Sequence, residues 1–430
     1  MKMKKLIAVT FLLAVVGVYA NAQTVTNNEL KSLLQKSVTY FPKVKEVEQS
    51  VQLAEQKLKL TELNKYPDVT LDASYAYVQP KIEVPFGANT FQFAPIHNVS
   101  GAFNGTYALI DFGRLKANIE KSKLELQSAH HVAAQLEISL FSQISQLYYQ
   151  IVYAQKAIQI QDQILSLLNE NKKVIDAQLA NGSAIQLDAL TIQSKIDNEN
   201  NRKIDVETNL KKLLNLLKYA TGVDNVTEGQ LVFNTKNYTY DEAFQFAIEH
   251  NPSLAIAKDK ISISKTDVAI SKLNDKPFIG AKASMGYKNG YLPAINDPKF
   301  NYNAGVGISI PLFNGGKIKQ LVKIQEKGLE LSETNIAVLL HDTEKDIQAA
   351  LIDINSNQNR IKNANTQIEQ AALAQKLSAS KLKNGTATPL EVTNANTDYQ
   401  KALLNQLQYQ YQLCNAQIEL LKIMGAPIVN

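Results

Sequence analysis

The sequence predicts an α+β protein in which long α-helical hairpins of coiled-coil character are joined to four amphipathic β-strands, with a two-fold internal repeat. Three observations predict it. An amino-terminal leader sends the chain out of the cytoplasm, one sequence unit occurs twice, and within each unit the hydrophobic period changes from two to about 3.5. With 430 residues, 45% of them hydrophobic and 20% charged, the chain can build sizeable cores, which excludes a disordered sequence. The formal charge of +5 falls to +2 once Lys2, Lys4 and Lys5 of the leader are set aside, so no nucleic-acid partner is expected. The single cysteine, Cys414, excludes an internal disulfide framework and a cysteine-based zinc cluster. No HExxH spacing joins His97, His130, His131, His250 and His341, and no serine sits in a GxSxG elbow. Catalytic, cofactor and metal residues are therefore not assigned.

The leader is basic at its start, apolar from Leu6 to Val18, and ends Ala20-Asn21-Ala22, whose small residues suit a signal peptidase. Cleavage is expected after Ala22, giving a signal peptide over 1–22. Its apolar run is short of the ~20 residues a membrane-crossing helix needs. No cysteine stands at the cleavage site to carry a lipid. No later apolar run is comparable, so entry into a membrane would need amphipathic strands.

The repeat comes next. NGSAIQLD at 181–188 answers NGTATPLE at 384–391, an offset of 203 that also relates Leu109 to Leu312, Asp111 to Asn314, Gly113 to Gly316 and Arg114 to Lys317. Upstream the offset is 210, aligning Pro42 with Pro252 and Pro67 with Pro277, so the first copy carries seven extra residues in a tolerant loop. The copies are expected at 23–222 and 223–430.

In each copy two strands precede two helices. Val69, Leu71, Ala73, Tyr75 and Tyr77 alternate with polar or small residues, as do Val99, Gly101, Phe103, Gly105, Tyr107 and Leu109, which predicts a hairpin over about 67–110. Ile279 to Tyr287 and Tyr302 to Ile310 repeat it over about 277–311. By alternation alone, such strands fit either a membrane barrel or a sheet packed on the helices. Four strands cannot close a membrane barrel, which needs about eight, so several chains would have to contribute.

The helical hairpins are expected at about 114–219 and 317–423. Leu140, Ile144, Leu147, Ile151, Ala154 and Ile158 form a seam of alternating four and three spacing, matched by Ile347, Ala350, Ile354, Asn357 and Ile361. The return arms continue through Ile192, Ile196, Val206, Leu210, Leu213 and Leu217, and through Ala395, Tyr399, Ala402, Tyr409, Leu413, Ala416, Leu420 and Ile423. Arg114 to Ala180 contains neither proline nor glycine and could reach on the order of 100 Å as one helix.

Together these features resemble the TolC-like outer-membrane efflux family, from leader to carboxyl terminus. The strand-opening Pro67 and Pro277 carry the resemblance, with PLFNGG at Pro311 to Gly316, its weaker counterpart ALIDFG at Ala108 to Gly113, and the two NG turns followed by Asp188 and Glu391. The resemblance implies a homotrimer in the outer membrane, each chain giving four strands to a twelve-stranded barrel and its helices to a periplasmic tunnel. It also implies export of solutes as the outer component of a tripartite efflux or type I secretion system, with a membrane-fusion adaptor and an inner-membrane pump.

At the strand-to-helix corners, Asp111, Gly113, Pro311, Asn314, Gly315 and Gly316 are expected to turn the chain, the glycines by accepting positive φ. Asn181, Gly182 and Ser183, with Asn384, Gly385 and Thr386, form the hairpin tips, which by resemblance meet the adaptor. Asp188 and Glu391 follow, where a carboxylate either caps a helix start or, repeated by threefold symmetry, forms a charged ring at the tunnel mouth. The family's best-known members carry a second acid where this chain has Asn394, and tyrosine and arginine latch partners where it has Leu382 and Ala387, so their gate is not carried over. A structural periplasmic coiled-coil protein tethering envelope layers is the rival reading. It accounts for the rods and leaves the duplicated strands unexplained.

Overall fold

The computed structural model describes residues 28–428 except 88, 228 and 234, so the expected leader at 1–22 lies outside the described residues. Among these, eight α-helices occur in the order α1 Asn28–Tyr40, α2 Pro42–Leu63, α3 Arg114–Ala180, α4 Gln186–Thr221, α5 Tyr240–His250, α6 Pro252–Leu273, α7 Lys317–Lys383 and α8 Pro389–Met424. The strands are β1 Asp68–Tyr77, β2 Glu83–Phe86, β3 Asn89–Gln92, β4 His97–Ile110, β5 Phe278–Lys288 and β6 Lys299–Ser309. Corresponding helices agree in length: α2 and α6 have 22 residues, α3 and α7 have 67, and α4 and α8 have 36. Among the described residues no helix is long and apolar enough to cross a membrane.

The chain forms two compact units, each drawing segments from both expected repeats: one comprises residues up to Glu48, Val132–Ala255 and Val338 onward, the other Gln49–His131 and Ile256–Ala337. The second unit holds an antiparallel sheet in the order β1-β4-β5-β6. Its register puts Leu71 opposite Phe103, Phe103 opposite Met285 and Met285 opposite Tyr302, so these apolar side chains share one face. Thr70, Asn104, Ser284 and Asn303 line the other in the same way. Asn104 donates to Asp72 Oδ2 at 2.7 Å on that polar face. β1 and β6 are the sheet's edges. β2 and β3 form a separate small hairpin inside what the sequence reads as a plain loop.

In the first unit α3 supplies the centre of the core. Leu140, Ile144, Ile151 and Ala154 of the expected seam are buried, as are Ile347 and Ala350 of α7 and Ile192, Ile196, Leu213 and Leu217 of α4. Each large aliphatic so buried contributes roughly 1.5–3 kcal/mol relative to exposure. On α8 the deepest positions fall mostly beside the expected seam, at Asn396, Gln400, Leu407, Cys414, Ile418 and Leu421. Tyr148 and Tyr149 stack edge to face at 5.2 Å, and the Tyr149 hydroxyl donates to Val232 O at 3.1 Å, which satisfies it without water. Burial pushes the Cys414 thiol up to about 12 and the Tyr149 phenol further above its usual range.

Candidate functional site

Both hairpin tips are built the same way. Ser183 N–H donates to Gln178 O at 2.8 Å and Gly182 N–H to Leu179 O at 3.1 Å, the paired bonds that close a helix through a left-handed residue. Thr386 and Gly385 make the equivalent bonds to Lys381 O and Leu382 O at 2.9 and 3.0 Å. Gly182 and Gly385 accordingly sit at φ 74° and 68°. The tips touch: Gln178 Nε2 donates to Leu382 O at 3.1 Å, and the Leu382 side chain is fully buried.

Asp188 and Glu391 lie in the first turns of α4 and α8. Asp188 Oδ2 accepts from Ile185 N–H at 3.2 Å, so it caps the helix start. At the second tip the cap is Thr388, whose Oγ1 accepts from Glu391 N–H at 3.3 Å, and Pro389 opens the helix where a missing N–H costs nothing. Their surroundings differ. The last turn of α7 carries Lys381 and Lys383, whereas the last turn of α3 has no basic residue.

The corners are also matched. Asp111 accepts from Gly113 N–H at 2.9 Å and from Leu115 N–H at 2.6 Å, and Asn314 Oδ1 accepts from Gly316 N–H at 3.1 Å. Gly113, Gly315 and Gly316 adopt φ 93°, 60° and 79°. Phe112, at φ 55°, occupies the place of Gly315 in the first copy, a left-handed geometry that costs a side chain about 1–2 kcal/mol. Pro311 follows β6 by two residues and ends its ladder.

Two polar clusters escape sequence reasoning. Gln400 Nε2 on α8 donates to Gln161 Oε1 at 2.9 Å and to Glu199 Oε2 at 2.7 Å, and Arg202 donates to the other oxygen of Glu199 at 2.7 Å. Gln161, Glu199 and Gln400 are all buried. In the sheet-bearing unit Asp259 is buried on α6 and holds His131 Nδ1 at 2.6 Å and Gln127 Nε2 at 2.8 Å, both from α3. Their sequence signals are weak because each partner lies more than a hundred residues away, except for Arg202, three residues from Glu199.

Comparison with known proteins agrees with this architecture. The family model described as outer membrane efflux protein matches residues 33–223 and again 243–426. The chain is 22% identical over 339 residues to the cation efflux system protein CusC of Escherichia coli strain K12, covering 76% of this chain and 70% of that protein. It is likewise 22% identical over 344 residues to the pyoverdine export outer membrane protein OpmQ of Pseudomonas aeruginosa, covering 77% and 70%. In structure it is similar to CusC, with a TM-score of 0.82 over 96% of both chains at 18% identity. The outer membrane protein VceC of Vibrio cholerae gives 0.80 over 93% of this chain and 97% of that one at 16% identity. With a family model matched over most of its length, the chain belongs to the outer membrane efflux protein family.

Proposed function

We propose that the hairpin tips, in three copies, ring the periplasmic mouth of an efflux conduit, and that Asp188 and Glu391 give that mouth its preference for cations. The chain is the outer-membrane channel of a tripartite efflux system, a homotrimer that works with a membrane-fusion adaptor and an inner-membrane pump and extends into the periplasm. Four strands per chain make twelve in a trimer, above the roughly eight that a membrane barrel needs. The apolar sheet face then meets lipid and the face bearing Asp72, Asn104 and Asn303 meets water. Relatives named for cation efflux and for pyoverdine export support a route open to unlike cargoes.

The observation that carries the mouth reading is the contact between tips, Gln178 to Leu382 O, with a carboxylate in the first turn after each. The turns Asn181-Gly182-Ser183 and Asn384-Gly385-Thr386 are then the surface offered to the adaptor. Lys381 and Lys383 offset the charge of Glu391, so the field is set mainly by Asp188. A tether between envelope layers gives no account of a sheet with one apolar and one polar face.

Purified trimer in planar bilayers under a salt gradient tests this. Asp188→Asn is expected to move the reversal potential toward that of a non-selective pore, Glu391→Gln to move it less, and the double variant to move it most. Unchanged selectivity in the double variant would reduce both residues to helix caps.

A further inference from the structure

The sheet has two open edges, β1 from the first repeat and β6 from the second. Within one chain the sheet-bearing unit already contains a junction between repeats: β4 of the first pairs with β5 of the second, Gly105 opposite Ala283, Phe103 opposite Met285, and Ile110 opposite Ile279 beyond a register shift. The junction is finished by Arg114, which donates from Nε to Leu273 O at 3.0 Å and from Nη2 to Lys276 O. The equivalent residues of the other two elements, β6 with the start of α7 and β1 with the end of α2, meet no such partner among the described residues. Leu312 and Phe313 are each 91% exposed, whereas their counterparts Leu109 and Ile110, flanked by β5, are 47% and 48% exposed.

Resting on the trimeric reading above, we infer that this internal junction is the template for the contact between subunits, and that it fixes the register of the barrel seam. Adding 203 to each β4 position and subtracting 210 from each β5 position carries the internal pairs onto β6 and β1. Ile308 then lies opposite Ala73 of the partner subunit, Val306 opposite the partner's Tyr75, and Ile310 opposite the partner's Leu71. Phe313 comes to rest against the partner's Val69, which covers the exposed PLF segment.

The inferred pairs pass a check that did not enter their construction. The pairings within the sheet place Leu71, Ala73 and Tyr75 on the same face as Val306 and Ile308, so the seam joins apolar face to apolar face. A slip of one residue would set every apolar side chain against a polar one. Lys317, in the place of Arg114, brings its ammonium to Leu63 O and Tyr66 O of the partner subunit, at a helix C-terminus that favours a cation. The receiving turns are alike, since Tyr66 N–H bonds to Leu63 O at 2.9 Å and Lys276 N–H to Leu273 O at 3.0 Å.

The test uses the full chain with Cys414→Ala as background and Ala73→Cys with Ile308→Cys added. Oxidation or a short bis-methanethiosulfonate reagent acts on detergent-extracted trimer, which is then denatured and run without reductant. Directly opposed residues stand about 5 Å apart and the diagonal ones about 7–8 Å. A covalent ladder to trimer is expected from Ala73→Cys/Ile308→Cys and not from either single variant. The pair shifted by two residues, Tyr75→Cys/Ile308→Cys, is expected to link at least tenfold less. Preferential linking of the shifted pair, or no link in a preparation that light scattering shows to be trimeric, overturns the register while leaving the conduit intact. A background protein that is monomeric overturns both. In parallel, Lys317→Met should lower the temperature at which the trimer comes apart in detergent and Lys317→Arg should preserve it; equal behaviour of the two overturns the Lys317 contact.

Discussion

Three helix-ending glycines share one backbone geometry and differ in what surrounds them, which separates conformational strain from steric conflict. Gly182, Gly222 and Gly425 have φ 74°, 71° and 71°. A Cβ at Gly182 meets nothing within 4 Å, one at Gly222 meets the Tyr40 ring at 3.0–3.3 Å, and one at Gly425 meets His250 O at 2.5 Å and Asn251 Cα at 2.7 Å. Placing a side chain in the left-handed region costs about 1–2 kcal/mol, and alanine returns about 0.4–1 kcal/mol by stiffening the unfolded chain. Gly182→Ala is therefore expected to cost about 1 kcal/mol. At Gly425 the obstacle is backbone between α5 and α6, held in place by Asn251 Nδ2 donating to Ile423 O at 2.7 Å. Overpacking against it adds about 1–3 kcal/mol, for a total of about 2–4 kcal/mol. The Tyr40 ring, half exposed, can yield a few tenths of an ångström, so Gly222→Ala falls between. Urea unfolding in detergent, followed by far-UV circular dichroism, reads the order from midpoint shifts at constant slope. Equal shifts for Gly182→Ala and Gly425→Ala would refute the steric argument, and a Gly222→Ala shift larger than that of Gly425→Ala would refute the distinction between ring and backbone.

Two further outcomes follow from buried groups. Cys414, pushed up to about 12 by burial, should resist maleimide at pH 8 in the folded protein and react fully in denaturant. Because its folded value lies above the unfolded ~8.5, the stability it contributes is whole below about pH 8.5 and is lost as pH rises toward 12; Cys414→Ala should flatten that alkaline loss. Gln400→Glu sets a second carboxylate beside Glu199, so its urea midpoint should fall at pH 7 and recover near about pH 5 as the pair takes up a proton. Gln400→Leu, with nothing to titrate there, should show no such recovery.

What the sequence reveals here depends on whether the physics is local. The NG turns are legible because a helix end closed by paired bonds needs a left-handed residue, and glycine supplies it at 182 and 385. Strand alternation places β1, β4, β5 and β6 because one face is apolar over their whole length. The β2–β3 hairpin is not legible, since four-residue strands with Pro85 inside one of them carry no alternation signal. Phe112 hides its left-handed conformation because aspartate and glycine around it already read as a turn. The buried set of Gln161, Glu199 and Gln400 looks in sequence like the solvated face of a helix; only the approach of three helices shows that these side chains satisfy one another. On α8 Gln400 draws the buried strip beside the expected seam, because its place facing the neighbours is chosen by hydrogen bonding as well as by hydrophobicity.

That buried set also acts as an index mark. Long helices packed along repeating aliphatic rows are nearly periodic, so sliding one past another by seven residues restores most of the apolar contact and leaves their alignment poorly determined. Gln400 can reach Gln161 and Glu199 in one alignment only; displaced by two turns, it would leave Gln161 Oε1 and Glu199 Oε2 without that donor, with Arg202 still on the other oxygen, at a cost of about 1–3 kcal/mol. The cluster thus ties α3, α4 and α8 to a single longitudinal setting from within an interface that is otherwise tolerant of translation. Any motion that opens the tips must then turn or splay these helices about that mark, because gliding along their length is the displacement it forbids.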